Sequence, residues 1–210
     1  MQATHPLSRP RPLRALPPEL LDTDEEVAAL AALAAAGLPV GSVVVVPAAV
    51  EERFYRLNNL PALLNDVFRS VDPEDPDEDD VEEATPAAEA LVRQHYMLDE
   101  FIDDFYQATA GLPSTVCVRR PREEGRVAAR GRPALLALKR TYQQDWSYEA
   151  VWDRLERQRA FALEARPVLL HNARAGLVPD DLTARAREVL GYGVQLRAAE
   201  DGTIVGARPA

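Results

Sequence analysis

The groups in this chain that could do chemistry are mostly cations, and they are unevenly distributed. Of 24 basic residues 23 are arginine and Lys139 is the sole lysine, so a step that needs an amine must use that one. Arg119 to Arg132, RRPREEGRVAARGR, holds six arginines and two glutamates, with glycines at 125 and 131. Phosphoryl transfer asks for cations and backbone donors around the phosphates, a metal held by carboxylates and a positioned acceptor. Arg119 can supply such a cation, but an ion pair with one of many acids is the favoured reading, as loop arginines usually find carboxylates. His5, His95 and His171 are scattered, so neither a zinc site nor a serine or cysteine triad assembles from evident neighbours. His95, on a helix with no second ligand at metal spacing, reads as structural. Trp146, Tyr148 and Trp152 look like a stacking platform, but their spacings of two and four on a helix fit core and boundary positions.

The elements that must hold these groups begin with Thr23 to Val50. Thr23 and Glu26 have the form of a capping box. Val27, Leu30 and Leu33 share a helical face. Gly37 can take the left-handed cap and Pro39 cannot continue the helix, so the helix stops near Ala36. Val43 to Val46 is a β-branched run too short for a helix, the mark of a strand covered on both faces. Pro47 opens a helix over Ala48 to Leu57 with Val50, Phe54 and Leu57 buried, and Asn58-Asn59 breaks it. Pro61 restarts a helix with an apolar stripe through Leu63, Leu64, Val67, Phe68 and Val71.

Asp72 to Glu83 has nine acids and two prolines in its twelve positions, a composition that repels itself and reads as a mobile, solvated linker. A calcium loop is excluded because the acids at Asp75, Asp77 and Asp79 lack the following glycine. Pro86 then opens a long helix through Leu91, Leu98, Ile102 and Phe105, ending before Gly111. Thr115 to Arg119 is a second strand, in one sheet with the first. The arginine stretch reads as a mobile loop or an irregular hairpin. Pro133 opens a helix through Tyr142, and Ser147 caps another running to about Leu163. Val168 to Leu170 is a third strand. A short helix carries Leu182, Ala186 and Val189, and Asp201-Gly202 turns a closing hairpin between Val194 to Ala198 and Thr203 to Val205.

Composition sets limits on partners. A net charge of −10 argues against a general nucleic-acid binder, whose affinity comes largely from neutralising phosphates. No apolar run is long enough to span a bilayer. Residues 1–18 carry arginines and prolines without an apolar core segment, which reads as a loose tail rather than a secretory signal. The single Cys117 suits a reducing compartment, and the cytoplasm is the expected location.

The unit around AGLPVGSVVVV resembles the start of the N-terminal nucleotide-binding, ATP-grasp-like domain of phosphoenolpyruvate synthase and pyruvate phosphate dikinase. The order of elements is similar from about Glu25 to Val205. The family's V-R-S-S strand end corresponds to Val118-Arg119-Arg120-Pro121, with the arginine kept and both serines gone. ALLALKRTYQQDWSYEAVWDRL resembles the family's helix pair A-L-x-A-V-K and R-A-I-x-Y-R, including Lys139 and Arg154. PVLLHN stands where the family has an apolar strand ending in Gln-x-Met beside the adenine. The phosphate-contacting Gly-Gly-Lys is missing, and the glycine-rich S-F-A-G loop is replaced by the arginine stretch. No counterpart of the later magnesium-binding acidic segment follows.

The resemblance implies an α+β or α/β fold, two-lobed and mainly helical, with a small sheet and a C-terminal hairpin, in one domain over residues 19–210. It further implies an eroded copy that is non-catalytic, binds a protein partner and retains at most weak affinity for ATP with magnesium. Arg119 and Lys139 are its candidate nucleotide contacts, and no catalytic or metal-binding residue is assigned. The alternatives are half of a split ATP-dependent phosphotransferase completed by a second chain and, last, a nucleic-acid binder using the arginine stretch.

Overall fold

The computed structural model of the protein describes residues 9–21, 24–162 and 165–210. Its centre is a five-stranded sheet in the order β1-β2-β5-β3-β4, formed by β1 (Arg11–Pro12), β2 (Val44–Val46), β3 (Thr115–Arg119), β4 (Arg126–Ala129) and β5 (Val168–Asn172). Every neighbouring pair in it is antiparallel, so the fold is α+β rather than α/β. A second, antiparallel sheet joins β6 (Ala175–Gly176), β7 (Val194–Ala199) and β8 (Ile204–Pro209). Gly202, at φ 77°, makes the β7–β8 turn in the left-handed region.

The valine run explains the layering. Side chains alternate across a strand, and here both faces find apolar cover. Val44 and Val46 join Val116, Val118, Val168 and Leu170 in one cluster, while Val43 and Val45 join Leu169 in another. The first cluster is covered by α3 (Ala48–Leu57), α4 (Leu60–Val67), α5 (Glu78–Gln94), α6 (Asp99–Thr109), α7 (Arg132–Gln144) and α8 (Tyr148–Gln158). The second is covered by α2 (Glu25–Ala35), α9 (Asp180–Leu190) and the smaller sheet. A four-residue helix α1 (Pro18–Leu21) precedes α2.

Several expectations are corrected. Residues 9–18 are not a loose tail: Arg11–Pro12 pairs with Val44 and Val45, and Leu13, in a 3-10 turn over Leu13–Ala15, is buried. Thr23, the expected cap, lies outside the described residues. Asp24 caps α2, its Oδ1 accepting from the amides of Glu26 at 2.8 Å and Val27 at 3.2 Å. Gly37 follows α2 with φ 79°, as the left-handed stop requires. On α3 it is Tyr55 and Glu51, not Leu57, that join Val50 and Phe54 inside; Leu57 is exposed.

The acidic linker ends sooner than its charge suggests. Helix α5 begins at Glu78, capped by Asp77, and places Glu78, Asp79 and Asp80 in its first turn, where carboxylates favour the positive end of the helix dipole. Val81, Ala84 and Ala88 bury the opposite face. Pro86 therefore lies inside the helix instead of opening it. Proline lacks the N–H that the Glu82 carbonyl would otherwise receive, and Thr85 Oγ1 donates to that carbonyl at 3.3 Å. The expected long helix through Phe105 is two helices, broken between His95 and Leu98. The arginine stretch resolves into the β3–β4 hairpin. Helix α8 stops at Gln158, with Arg159 in the left-handed region, short of the expected end near Leu163. Among the described residues no helix is long and apolar enough to cross a membrane.

Candidate functional site

Consecutive residues at the end of a strand point to opposite faces, and Arg119 and Arg120 follow this rule. Each is buried, and each meets a buried carboxylate on its own side of the sheet.

Arg119 points toward α2 and the smaller sheet. Its Nη1 donates to Glu26 Oε2 at 3.0 Å and its Nη2 to Glu26 Oε1 at 2.7 Å, the bidentate geometry of a strong charge-assisted pair. Nη1 also reaches the Arg120 carbonyl at 3.2 Å, and Nη2 the Val205 carbonyl at 3.1 Å. Nε donates to His171 Nε2 at 3.0 Å, while His171 Nδ1 lies 2.8 Å from the Asn172 carbonyl. Those contacts fix a neutral imidazole with its proton on Nδ1. Burial, and then the Arg119 charge, push the His171 pKa down to about 4. For Glu26, burial alone would raise the carboxyl, but Arg119 and the amides of Arg122 and Ala207 outweigh it and hold the pKa below its ordinary value. Gly206 permits this approach: a Cβ there would lie 3.0 Å from both Arg119 Nη2 and Glu26 Oε1.

Arg120 points into the helical layer. Its Nη2 contacts both Glu51 oxygens, at 2.8 and 2.9 Å, and also Asp145, while Nη1 donates to the Arg166 carbonyl. The Arg166 side chain adds a second contact to Asp145 at 3.2 Å. Burial is the largest influence on Glu51 and pushes its pKa up to about 7 against the Arg120 charge, with Asp145 adding to the rise. The Tyr142 ring lies 5.3 Å from the Arg120 guanidinium. Beyond it, Trp146 Nε1 donates to the Tyr55 hydroxyl at 2.6 Å, within an aromatic wall that includes Phe54 and Phe68.

The other candidate cation stands elsewhere. Lys139 Nζ donates to the Arg93 carbonyl at 2.7 Å and lies 5.9 Å from the Tyr96 ring, so it closes the C-terminal end of α5. Arg119 and Lys139 share no hydrogen-bond partner among the described residues. Three more arginines of the stretch are also engaged internally: Arg122 pairs with Glu25 at 3.0 Å, Arg126 donates to Gln144, and Arg130 donates to the carbonyls of Ala110 and Leu112, while Arg132 is exposed. His95 Nδ1 lies 2.7 Å from the Leu91 carbonyl, which gives it a structural role at the end of α5. His5 lies outside the described residues. Among the described residues no group of three or more His, Cys, Asp or Glu side chains is placed to hold a metal ion.

The residues that matter most here besides Arg119 are Glu26, Glu51, Arg120, Asp145 and His171. For two of them the sequence carries a signal. Glu26 lies four and seven residues before Leu30 and Leu33, and Glu51 lies three before Phe54, so both carboxylates occupy positions of an apolar stripe. A charged residue at such a position calls for a buried partner.

Fold and site together describe an α+β protein whose central sheet is fastened on each face by a buried arginine–carboxylate cluster. No protein-family model and no curated protein matches the chain.

Proposed function

We propose that the chain is a non-catalytic module, related to the N-terminal nucleotide-binding domain of phosphoenolpyruvate synthase and pyruvate phosphate dikinase, that acts by binding a partner protein. Its affinity for ATP with magnesium is at most weak. The observation that carries this reading is the full engagement of Arg119 by Glu26, His171 and two backbone carbonyls. A phosphate could reach that guanidinium only by breaking a buried ion pair, at a cost of about 3–5 kcal/mol. The order α2, β2, α3, β3, α7, α8, β5 and the closing β7–β8 hairpin is the order the resemblance implies, and it is what supports the relationship.

The partner-binding part is supported by β4. That strand is an outer strand of the central sheet, and Val127 on it is 65% exposed beside exposed Arg126. An uncovered edge of this kind offers unpaired backbone groups to an incoming strand. Isothermal titration of the purified chain with Mg-ATP, repeated with its purified interacting chain present, tests the reading. Little or no saturable heat in either titration is expected. Tight Mg-ATP binding by the chain alone would overturn the reading, and binding only in the presence of the second chain would favour a split phosphotransferase.

A further inference from the structure

The outer edge of β4 presents a defined set of free backbone groups. The Arg130 amide donates to the Ser114 carbonyl at 2.8 Å, one step beyond the β3–β4 register in which Ala129 faces Thr115 and Arg126 faces Val118. Hydrogen-bonded and non-bonded pairs alternate along an antiparallel ladder. Arg126 and Ala128 therefore bond to β3, and the N–H and C=O groups of Val127 and Ala129 point away from it. β4 ends the sheet order, and among the described residues no strand lies beyond it.

The side chains around that edge are basic and apolar. Arg126 and Ala128 face the helical layer: Arg126 Nε donates to Gln144 Oε1 at 3.3 Å, and Ala128 packs against the first apolar cluster. Val127 and Ala129 face the other way and are exposed. Because α7 starts at Arg132 and has Gln144 beside Arg126, it runs back along β4. Arg132, Leu136 and Arg140 precede Gln144 at intervals of four, so they form one stripe that ends at the strand. All three are exposed, Leu136 at 47%. Among the described residues Arg132 and Arg140 have no hydrogen-bonded or ion-paired partner.

These features select among occupants. A second copy would bring the same arginines to the shared edge, and like charges across a strand pair are unfavourable. A nucleic acid cannot continue a strand ladder, and the net charge of −10 opposes it. An extended segment with carboxylates along one side uses every group on the edge. Its backbone pairs with Val127 and Ala129, its acids meet Arg132 and Arg140, and its alternate, apolar side chains cover Val127.

We propose that the β4 edge takes up an acidic, extended segment of a partner protein as an added strand of the central sheet, with acids and apolar residues alternating along it. The inference rests on the partner-binding reading and names the partner's chemistry.

The test is fluorescence anisotropy of short labelled peptides titrated with the full chain. One peptide alternates Glu and Val, a second alternates Lys and Val, and a single-stranded oligothymidylate forms a third arm. The Glu-Val peptide should bind saturably, and the other two should bind about tenfold more weakly or less. Ala129→Pro removes one outward N–H and leaves the β3 ladder intact, so the Tm should be kept while peptide affinity falls by about tenfold. Arg132→Glu combined with Arg140→Glu, both on the exposed face of α7, should weaken the Glu-Val peptide by about tenfold and favour the Lys-Val peptide; it decides the matter if Ala129→Pro fails to fold. No saturable binding of the Glu-Val peptide, equal or tighter binding of the Lys-Val peptide or the oligonucleotide, a gel-filtration dimer that Ala129→Pro dissociates, or affinity unchanged by the double charge reversal would each overturn the proposal. Tight Mg-ATP binding by the chain alone would instead overturn the underlying reading, whatever the peptides do.

Discussion

Arg119 and Glu26 are separated by 93 residues and meet as a bidentate ion pair, with side chains 1% and 3% exposed. The pair ties β3 to α2. Through the Val205 carbonyl and the Ala207 amide it also ties both to β8. Glu26→Ala leaves the guanidinium buried without a counter-charge and should cost about 3–5 kcal/mol. Replacing both partners, Glu26→Leu with Arg119→Met, should cost much less than the sum of the single changes, because an apolar pair of similar volume is often near neutral. Urea denaturation of the four proteins completes the cycle, and additive costs would contradict a coupled pair.

The two clusters respond to pH in opposite senses. His171 has its pKa pushed down to about 4, so the unfolded chain binds its proton more readily. Its contribution is present above the ordinary value of about 6.5 and is lost as pH falls toward 4, amounting to roughly 3 kcal/mol. Glu51, pushed up to about 7, holds its proton more tightly when folded, so its contribution falls as pH rises from 4.5 toward 7. Between pH 4.5 and 6.5 the two slopes oppose one another. Glu51→Gln removes one of them, and its stability should rise more steeply over that window than that of the unmodified protein. Equal slopes in chemical denaturation would contradict the assignment.

Val45 faces α2 and is 2% exposed, in the centre of the second apolar cluster. Val45→Asp buries a charge with no partner and should cost about 3 kcal/mol or more. A melting temperature equal to that of the unmodified protein would contradict the placement of β2.

How much of this was legible in the sequence differs from element to element. Val43 to Val46 was readable because β-branched residues without interruption leave neither face for water, and Gly37 and Pro47 punctuate the run. Glu78 to Glu83 was misread because mean charge ignores position: the same acids that repel one another along a loop are favourable in the first turn of a helix, once Asp77 caps it and Val81 anchors it. Arg119 could be singled out but not given its role, since its partners come from residues 26, 171 and 205, and such separations leave no local spacing to read.

Hydrogen exchange should divide the acidic segment. The Val81 amide donates to the Asp77 carbonyl at 3.2 Å and its side chain is fully buried, so amides from Val81 onward should be protected. Residues 73–77 precede the helix and should exchange fast. Uniformly fast exchange through residue 94 would contradict the start of α5.

The central claim, that the chain does not itself turn over ATP, is tested most directly by steady-state phosphate release from Mg-ATP, followed across the gel-filtration peak of the folded protein. With Arg119 held by Glu26 and Lys139 by the end of α5, no release above background should co-elute with the chain. Release that tracks the protein peak and is lost in Lys139→Ala would contradict the account and assign the chain to the phosphotransferases.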